Sequence, residues 1–220
     1  MLSRNRRVAA LLIALVLMLS PLLCACGEEP KTGSQSTVPV PPSDTAPHGV
    51  SYYSALPSLS ELVTLGAYEG MTVTPKAGQS DEDAIWEAVM ANAKTISPDE
   101  GEVAYYFNSL CAQYRYLASL KSMEYEELLR SLNLSEAVLL AEATEMSKKD
   151  LVVTAVLRNS GVILTETEKE TLFDKYAEKF ASDYGYSPEY VSEHLREPIY
   201  EAMLYDKVTE HLLTNNTVVK

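Results

Sequence analysis

"GVILTETEKETLFDKYAEKFASDYGYSPEYV", residues 161–191, decides the fold, because seven acidic side chains and several aromatics share one short stretch. Phe173, Tyr176, Ala177, Phe180 and Tyr184 recur at the i, i+3/i+4, i+7, i+11 spacing of one helix face. The acids fall elsewhere: Glu166, Glu170, Asp174 and Glu178 form an i, i+4 row. Lys169, Lys175 and Lys179 lie within three or four positions of that row, close enough to offset a repulsion of roughly 0.2–0.5 kcal/mol per pair. The spacing therefore predicts a helix with a solvated acidic face rather than a cation or catalytic site.

The boundaries of this helix are written beside it. Gly161 suits the left-handed residue that ends a preceding helix, Thr165 with Glu168 makes a capping box, and Gly185 closes the helix in turn. Ser187 and Pro188 start another helix. Pro198 does not sit cheaply inside it, so a break is expected near Arg196, followed by a last helix through about Leu213. The expected inner face of that last helix carries Tyr200, Leu204, Val208 and Leu212.

The pattern continues toward the N-terminus. Ser135 opens a long helical stretch with Leu139, Ala143, Met146, Val153 and Leu157 on related turns, and Ser147 and Asp150 leave open whether it is one helix or two. "SMEYEELLRSLN" reads as a short helix before it. Ser97, Pro98 and Glu100 give a start signal for a helix running to about Leu120. In that helix Val103, Phe107, Leu110, Tyr114 and Leu117 make one stripe, assigned to the core. Tyr105, Ala112 and Tyr116 lie almost opposite and carry no charge. That second stripe fits either a helix sandwiched between two others or an open contact surface. Ser80 with Asp83 caps a helix over "DEDAIWEAVMANAK", with Ile85, Val89 and Ala93 inward and Trp86 as a core anchor. Strand chemistry occurs once, at Met71–Thr74 between Gly70 and Pro75. The expected fold is mainly α, an elongated multi-helix domain with at most one short strand or hairpin.

The first residues point to a compartment. Arg4, Arg6 and Arg7 precede an apolar run from Val8 to Leu19 that is short for a membrane span, as in a signal peptide. It ends in "LLCACGEE", where Leu23, Cys24, Ala25 and Cys26 resemble a bacterial lipobox; Cys26 follows the small Ala25 and is the expected lipid site. Residues 1–25 are thus read as a lipoprotein signal peptide, 26–58 as a lipidated tether and 59–220 as the folded domain. Residues 27–58 contain six of the eleven prolines and reach at most roughly 100 Å if fully extended at about 3.1 Å per residue. Two acyl chains, at about 0.8 kcal/mol per buried CH₂, make the expected anchor to the membrane stable. The expected location is the extracytoplasmic face of the bacterial cell membrane.

Loss of the signal removes three arginines and no acid, taking the net charge from −13 to −16. Such a domain is a poor partner for nucleic acid. Only Cys111 remains beyond the lipid cysteine, so no intramolecular disulfide is available. His48 lies in the tether, and His194 and His211 sit in helices without a second His or Cys at ligand spacing. No nucleophile elbow, phosphate loop or zinc spacing is present.

Two stretches carry a family resemblance. "LGAYEGMTVTPKAGQSDEDAIWEAVMANAK" is similar to the segment leading out of the N-terminal domain of trigger factor. "EYEELLRSLNLSE", "LRNSGVILTETEKETLFDKYAEKFASDYGYSPEYV" and "YEAMLYDKVTEHLLTNNTVV" follow in the order of its C-terminal chaperone domain, a helical fold related to the SurA-like chaperones. The resemblance implies a chaperone-like protein that binds unfolded or newly exported polypeptides without a cofactor; the lipobox-like sequence adds the membrane anchor, and the uncharged stripe of Tyr105, Ala112 and Tyr116 is the candidate client-binding surface. Nothing in residues 1–60 matches the family's ribosome-docking domain, so no ribosome partner is implied. Only a short helical segment stands where the family inserts its prolyl isomerase domain, so no isomerase activity and no enzyme is implied. The alternative is a non-catalytic envelope scaffolding module gripping one specific partner protein.

Overall fold

The computed structural model describes residues 47–184 and 186–219. The signal segment, Cys24, Cys26 and Gly185 lie outside the described residues. In chain order the elements are α1 (Val50–Ala55), β1 (Val63–Thr64), β2 (Thr72–Val73), α2 (Asp81–Asn92), β3 (Thr95–Ile96), α3 (Glu100–Leu120), α4 (Tyr125–Ser131), α5 (Glu136–Ser160), α6 (Glu166–Tyr184), α7 (Pro188–His194), α8 (Arg196–Thr214) and β4 (Thr217–Val218). The chain is mainly helical. Where the sequence suggests one domain with at most one strand or hairpin, two compact units and two minimal sheets are found. Residues 47–71 and Trp86–Gly161 form one unit; Thr72–Ile85 and residues 162–219 form the other. β1 pairs antiparallel with β3, Val63 opposite Ile96, and β2 pairs parallel with β4, Thr72 opposite Thr217.

In the first unit α5 is the central element. Leu151, Val152, Val153, Thr154, Ala155, Val156 and Leu157 are all buried, so this part of the helix is enclosed on every side. α1, α3, β1 and β3 all pack against it. The stretch is not split near Ser147 and Asp150. α5 is one 25-residue helix, because the Ser147 hydroxyl is hydrogen-bonded to Tyr53 (2.7 Å) and Asp150 accepts from the Tyr106 hydroxyl. Both polar groups find partners outside the helix and leave its backbone alone. Ser135 caps the start through the Val138 N–H, and Gly161, at φ 68°, ends the helix as expected. Met146, expected inward, is exposed.

The start of α3 also differs. Its N-cap is Asp99, which accepts from the N–H of Gly101 (2.8 Å) and of Glu102 (3.3 Å), not Ser97. Ser97 is held in extended backbone by β3, its N–H donating to the Leu62 carbonyl at 2.7 Å. Leu110, Tyr114 and Leu117 of the predicted stripe are buried; Val103 and Phe107 are half-buried. Burial pushes the Tyr114 hydroxyl up to about 12, with the Glu142 carboxylate adding to the shift.

The largest correction concerns the tether. Residues 48–56 do not belong to a disordered spacer: α1 forms within them and Tyr53 has none of its surface exposed. A composition dominated by proline across residues 27–58 hides the "VSYYSA" run that folds.

In the second unit Phe173, Ala177, Val191, Ile199 and Met203 make a closed core, with Tyr176, Phe180 and Tyr200 packed on its margin. The predicted face of α6 is the observed one, and Glu166, Glu170, Asp174 and Glu178 are exposed. α8 is rotated from expectation. Ile199, Met203, Val208 and Leu212 are buried, whereas Tyr200 and Leu204 are half-buried. The break between α7 and α8 falls at Leu195, which puts Pro198 in the first turn of α8, where its missing N–H costs nothing. Ala93, expected inward on α2, lies just past the helix end and is half-buried, whereas Ala84, Ile85, Trp86 and Val89 are buried.

A polar clasp joins α6 to α8. Tyr176 donates to Asp206 at 2.7 Å, and Lys207 donates to Glu168 at 2.5 Å and to the Ile163 carbonyl at 2.8 Å. Glu168 also completes the capping box, accepting from the Thr165 N–H at 2.9 Å while its own N–H reaches the Thr165 hydroxyl at 3.3 Å. The Lys207 hydrogen bond, then those of Thr165, pull the Glu168 carboxyl from its ordinary 4.5 to about 2. A carboxyl lowered on folding stabilises the native state above its unfolded value, and that contribution is lost as pH falls from about 4.5 to about 2. NMR titration is expected to show Glu168 protonating near pH 2, and Lys207→Met to bring it back toward 4.5 while removing its share of the acid sensitivity of unfolding.

Candidate functional site

The site that the sequence proposes lies on α3, and its surroundings begin with a buried charge. Glu102, in the first turn of α3, has only 3% of its surface exposed. Its position at a helix N-terminus favours a carboxylate, but a buried charge also needs direct partners. Both come from residues 48 and 49. His48 Nδ1 donates to Oε1 at 2.9 Å and the Gly49 N–H donates to Oε2 at 3.0 Å. Glycine is required at 49 for two reasons. Its φ is +64°, and a Cβ there would stand 2.8 Å from the Tyr106 hydroxyl oxygen. The His48 ring then lies flat on Tyr105, with centroids 3.4 Å apart and planes 7° from parallel.

Two further anchors hold the segment. The Tyr53 hydroxyl accepts from the Asp99 N–H at 3.1 Å and shares its hydrogen bond with Ser147, so the α3 cap, α1 and α5 meet at one oxygen. Burial pushes this hydroxyl up, an effect that Ser147 partly opposes. At the end of α1 the Arg158 guanidinium donates to the carbonyls of Tyr53 and Ser54, each at 3.1 Å, and to that of Leu56. The Ser54 and Leu56 carbonyls lie at the helix end, where intrahelical partners run out, and the Tyr53 carbonyl also accepts from the Leu56 N–H at 3.3 Å.

Tyr105 is therefore not on an open stripe: His48, assigned by sequence to the tether, covers its ring. Ala112 and Tyr116 are half-buried on the same helix. Cys26 lies outside the described residues.

The more open apolar surface of this unit lies at the far end of the α3–α5 pair. The contacts Tyr106–Asp150 and Arg115–Glu136 set these helices antiparallel, so the end of α3 meets the start of α5. Leu120, Leu132, Val138 and Leu140 lie on or beside the helix ends there and are 41–49% exposed, Val138 and Leu140 on either side of the buried Leu139. Two tight reversals bring the helices together there. Ser122 and Asn133 adopt positive φ, and the Met123 and Leu134 N–H groups close back on Ala118 and Leu129. α4 spends its own apolar pair, Leu128 and Leu129, on the interior. Sequence periodicity missed this surface, although one signal was present: in "AVLL" three consecutive large apolar residues cannot share one helix face.

The remaining chemistry-bearing residues are structurally committed. Cys111 is buried with the Tyr125 hydroxyl beside it, and burial raises that hydroxyl's pKa. His194 stacks on Tyr190, and the His211 carbonyl accepts from the Asn215 side-chain amide. A shallow depression is lined by Val162, Lys207, Glu210, His211, Thr214 and Asn215, with Lys207 already held by Glu168. No group of three or more His, Cys, Asp or Glu side chains that could hold a metal ion occurs among the described residues. No helix among them is long and apolar enough to cross a membrane.

Comparison with protein-family models, with curated proteins and with solved structures found no match.

Gly49→Ala is expected to cost about 1–3 kcal/mol, the range for a strained backbone position. Chemical denaturation measures this cost, and Gly78→Ala is the control. Gly78 also has positive φ, but its Cβ would meet nothing within 4 Å. The Gly49 variant is expected to lose more, the difference being the collision with Tyr106.

Proposed function

We propose that this chain is a membrane-anchored extracytoplasmic chaperone-like protein that holds unfolded or newly exported polypeptides and lacks prolyl isomerase activity. The observation that carries the reading is the apolar end of the α3–α5 pair. Leu120, Leu132, Val138 and Leu140 stand exposed on helices whose ends are firmly capped. Four large apolar side chains exposed near one end of a helix pair make a candidate interaction site. Each offers an unfolded chain a weak contact that depends on no particular sequence, and the net charge of −13 keeps the surface soluble between clients.

The resemblance to the trigger factor chaperone domain points the same way, and the lipobox-like Leu23–Cys26 supplies the anchor, with Cys26 as the acylated residue. Binding of this kind uses no nucleotide, metal or organic cofactor. Release follows from the weakness of the individual contacts.

Leu132→Ser with Leu140→Ser tests the reading. Both residues are more than 40% exposed, so the melting temperature is expected to hold, surface substitutions usually staying within about 0.5 kcal/mol. Suppression of client aggregation at equimolar ratio is expected to fall several-fold. The reading fails if the native protein never slows aggregation, or if the double variant suppresses it equally well.

A further inference from the structure

Residues 48–56 occupy the face of α3 and α5 as a ligand would. They are held at three points by residues far away in sequence: Glu102 at one end, Ser147 in the middle and Arg158 at the other end. Much of this grip falls on the main chain. Glu102 takes the N–H of Gly49, and Arg158 takes the carbonyls of Tyr53, Ser54 and Leu56. His48 and Tyr53 add side-chain contacts, one ring on Tyr105 and one hydroxyl between Asp99 and Ser147, and the Tyr52 hydroxyl also lies beside Asp99.

Two features set the segment apart from the helices beneath it. α1 has six residues, too few to persist without the surface beneath it. α3 and α5 are 21 and 25 residues long and have their own caps at Asp99 and Ser135, to which the segment adds the Tyr53 bonds to Asp99 and Ser147 and part of the cover on α5.

We infer that residues 48–56 are a displaceable strap over a second client groove, between α3 and α5, which accepts unfolded polypeptide in the strap's place. The inference rests on the proposed client-holding function and names the groove that serves it. Groups that grip an N–H and a row of carbonyls recognise what every polypeptide carries, and Tyr105 offers a flat ring to whatever side chain replaces His48. A folded partner has those main-chain groups already satisfied within its own helices and sheets, so the groove selects unfolded chain without reading its sequence. It also accounts for Tyr105, whose ring His48 of the strap covers in the resting protein.

Hydrogen exchange on the full chain tests this, with reduced carboxymethylated α-lactalbumin as the unfolded probe. Without probe, the amides of residues 49–56 are expected to exchange at least about tenfold faster than those of Leu151–Leu157, as a separate local opening does. Saturating probe is expected to speed the strap amides about tenfold more while leaving α5 unchanged. Tyr53→Ala, which loosens the strap, is expected to tighten probe binding several-fold. Strap amides that exchange in step with α5 overturn the inference, as does strap protection unchanged at saturation. Probe binding with an unmoved strap removes the groove and leaves the apolar end of the α3–α5 pair as the client site. Absence of any probe binding removes both.

Discussion

The Glu102 carboxylate shapes the N-terminal part of the domain, because a charge that is 97% covered has to be satisfied by fixed groups rather than by water. Its two oxygens take one donor each from His48 and Gly49, and those two bonds bring the preceding chain onto α3. Once Gly49 is there, its left-handed backbone starts α1, Tyr53 reaches the junction of Asp99 and Ser147, and Arg158 closes the far end. Removing a hydrogen-bond donor from a buried acceptor typically costs about 1–3 kcal/mol, more for a charged one, since the acceptor is left unsatisfied. The pair therefore fixes residues 48 and 49 on the first turn of α3.

What the sequence made legible was local. Thr165 with Glu168, Ser135, Ser187 and Gly161 act within one helical turn of themselves, and each sits where its chemistry indicates. The apolar face of α6 was readable because one side of that helix is wet. α5 was not, since "LVVTAVL" is enclosed all round and a periodic stripe has no meaning there. β1, β3 and β4 have two residues each and exist only through partners elsewhere in the chain. The cover over Tyr105 escaped for the same reason. Nothing in α3 announces that His48 will lie on it, and the proline-rich composition around His48 argued against any fold there.

The two units divide the chemistry. Residues 162–219 are held by an apolar core and by the Lys207–Glu168 and Tyr176–Asp206 clasps, which spend the polar groups of α6 and α8 on structure. The unit of α3, α4 and α5 keeps large apolar side chains on its surface at one end and a main-chain-gripping face near the other. Both surfaces suit a partner without fixed structure. The first offers contact area that depends little on sequence, and the second offers donors and acceptors to a backbone whose own are free. The chain's net negative charge opposes self-association of such apolar surface.

Whether those surfaces hold many chains or one is the question on which the account stands. Site-specific photo-cross-linking from position 140, in intact cells that process and anchor the full chain, addresses it most directly. The account predicts a broad set of unrelated secreted polypeptides captured before they have folded. A single repeated partner, captured in its folded state at near-stoichiometric yield, would contradict it and make the protein a scaffolding module.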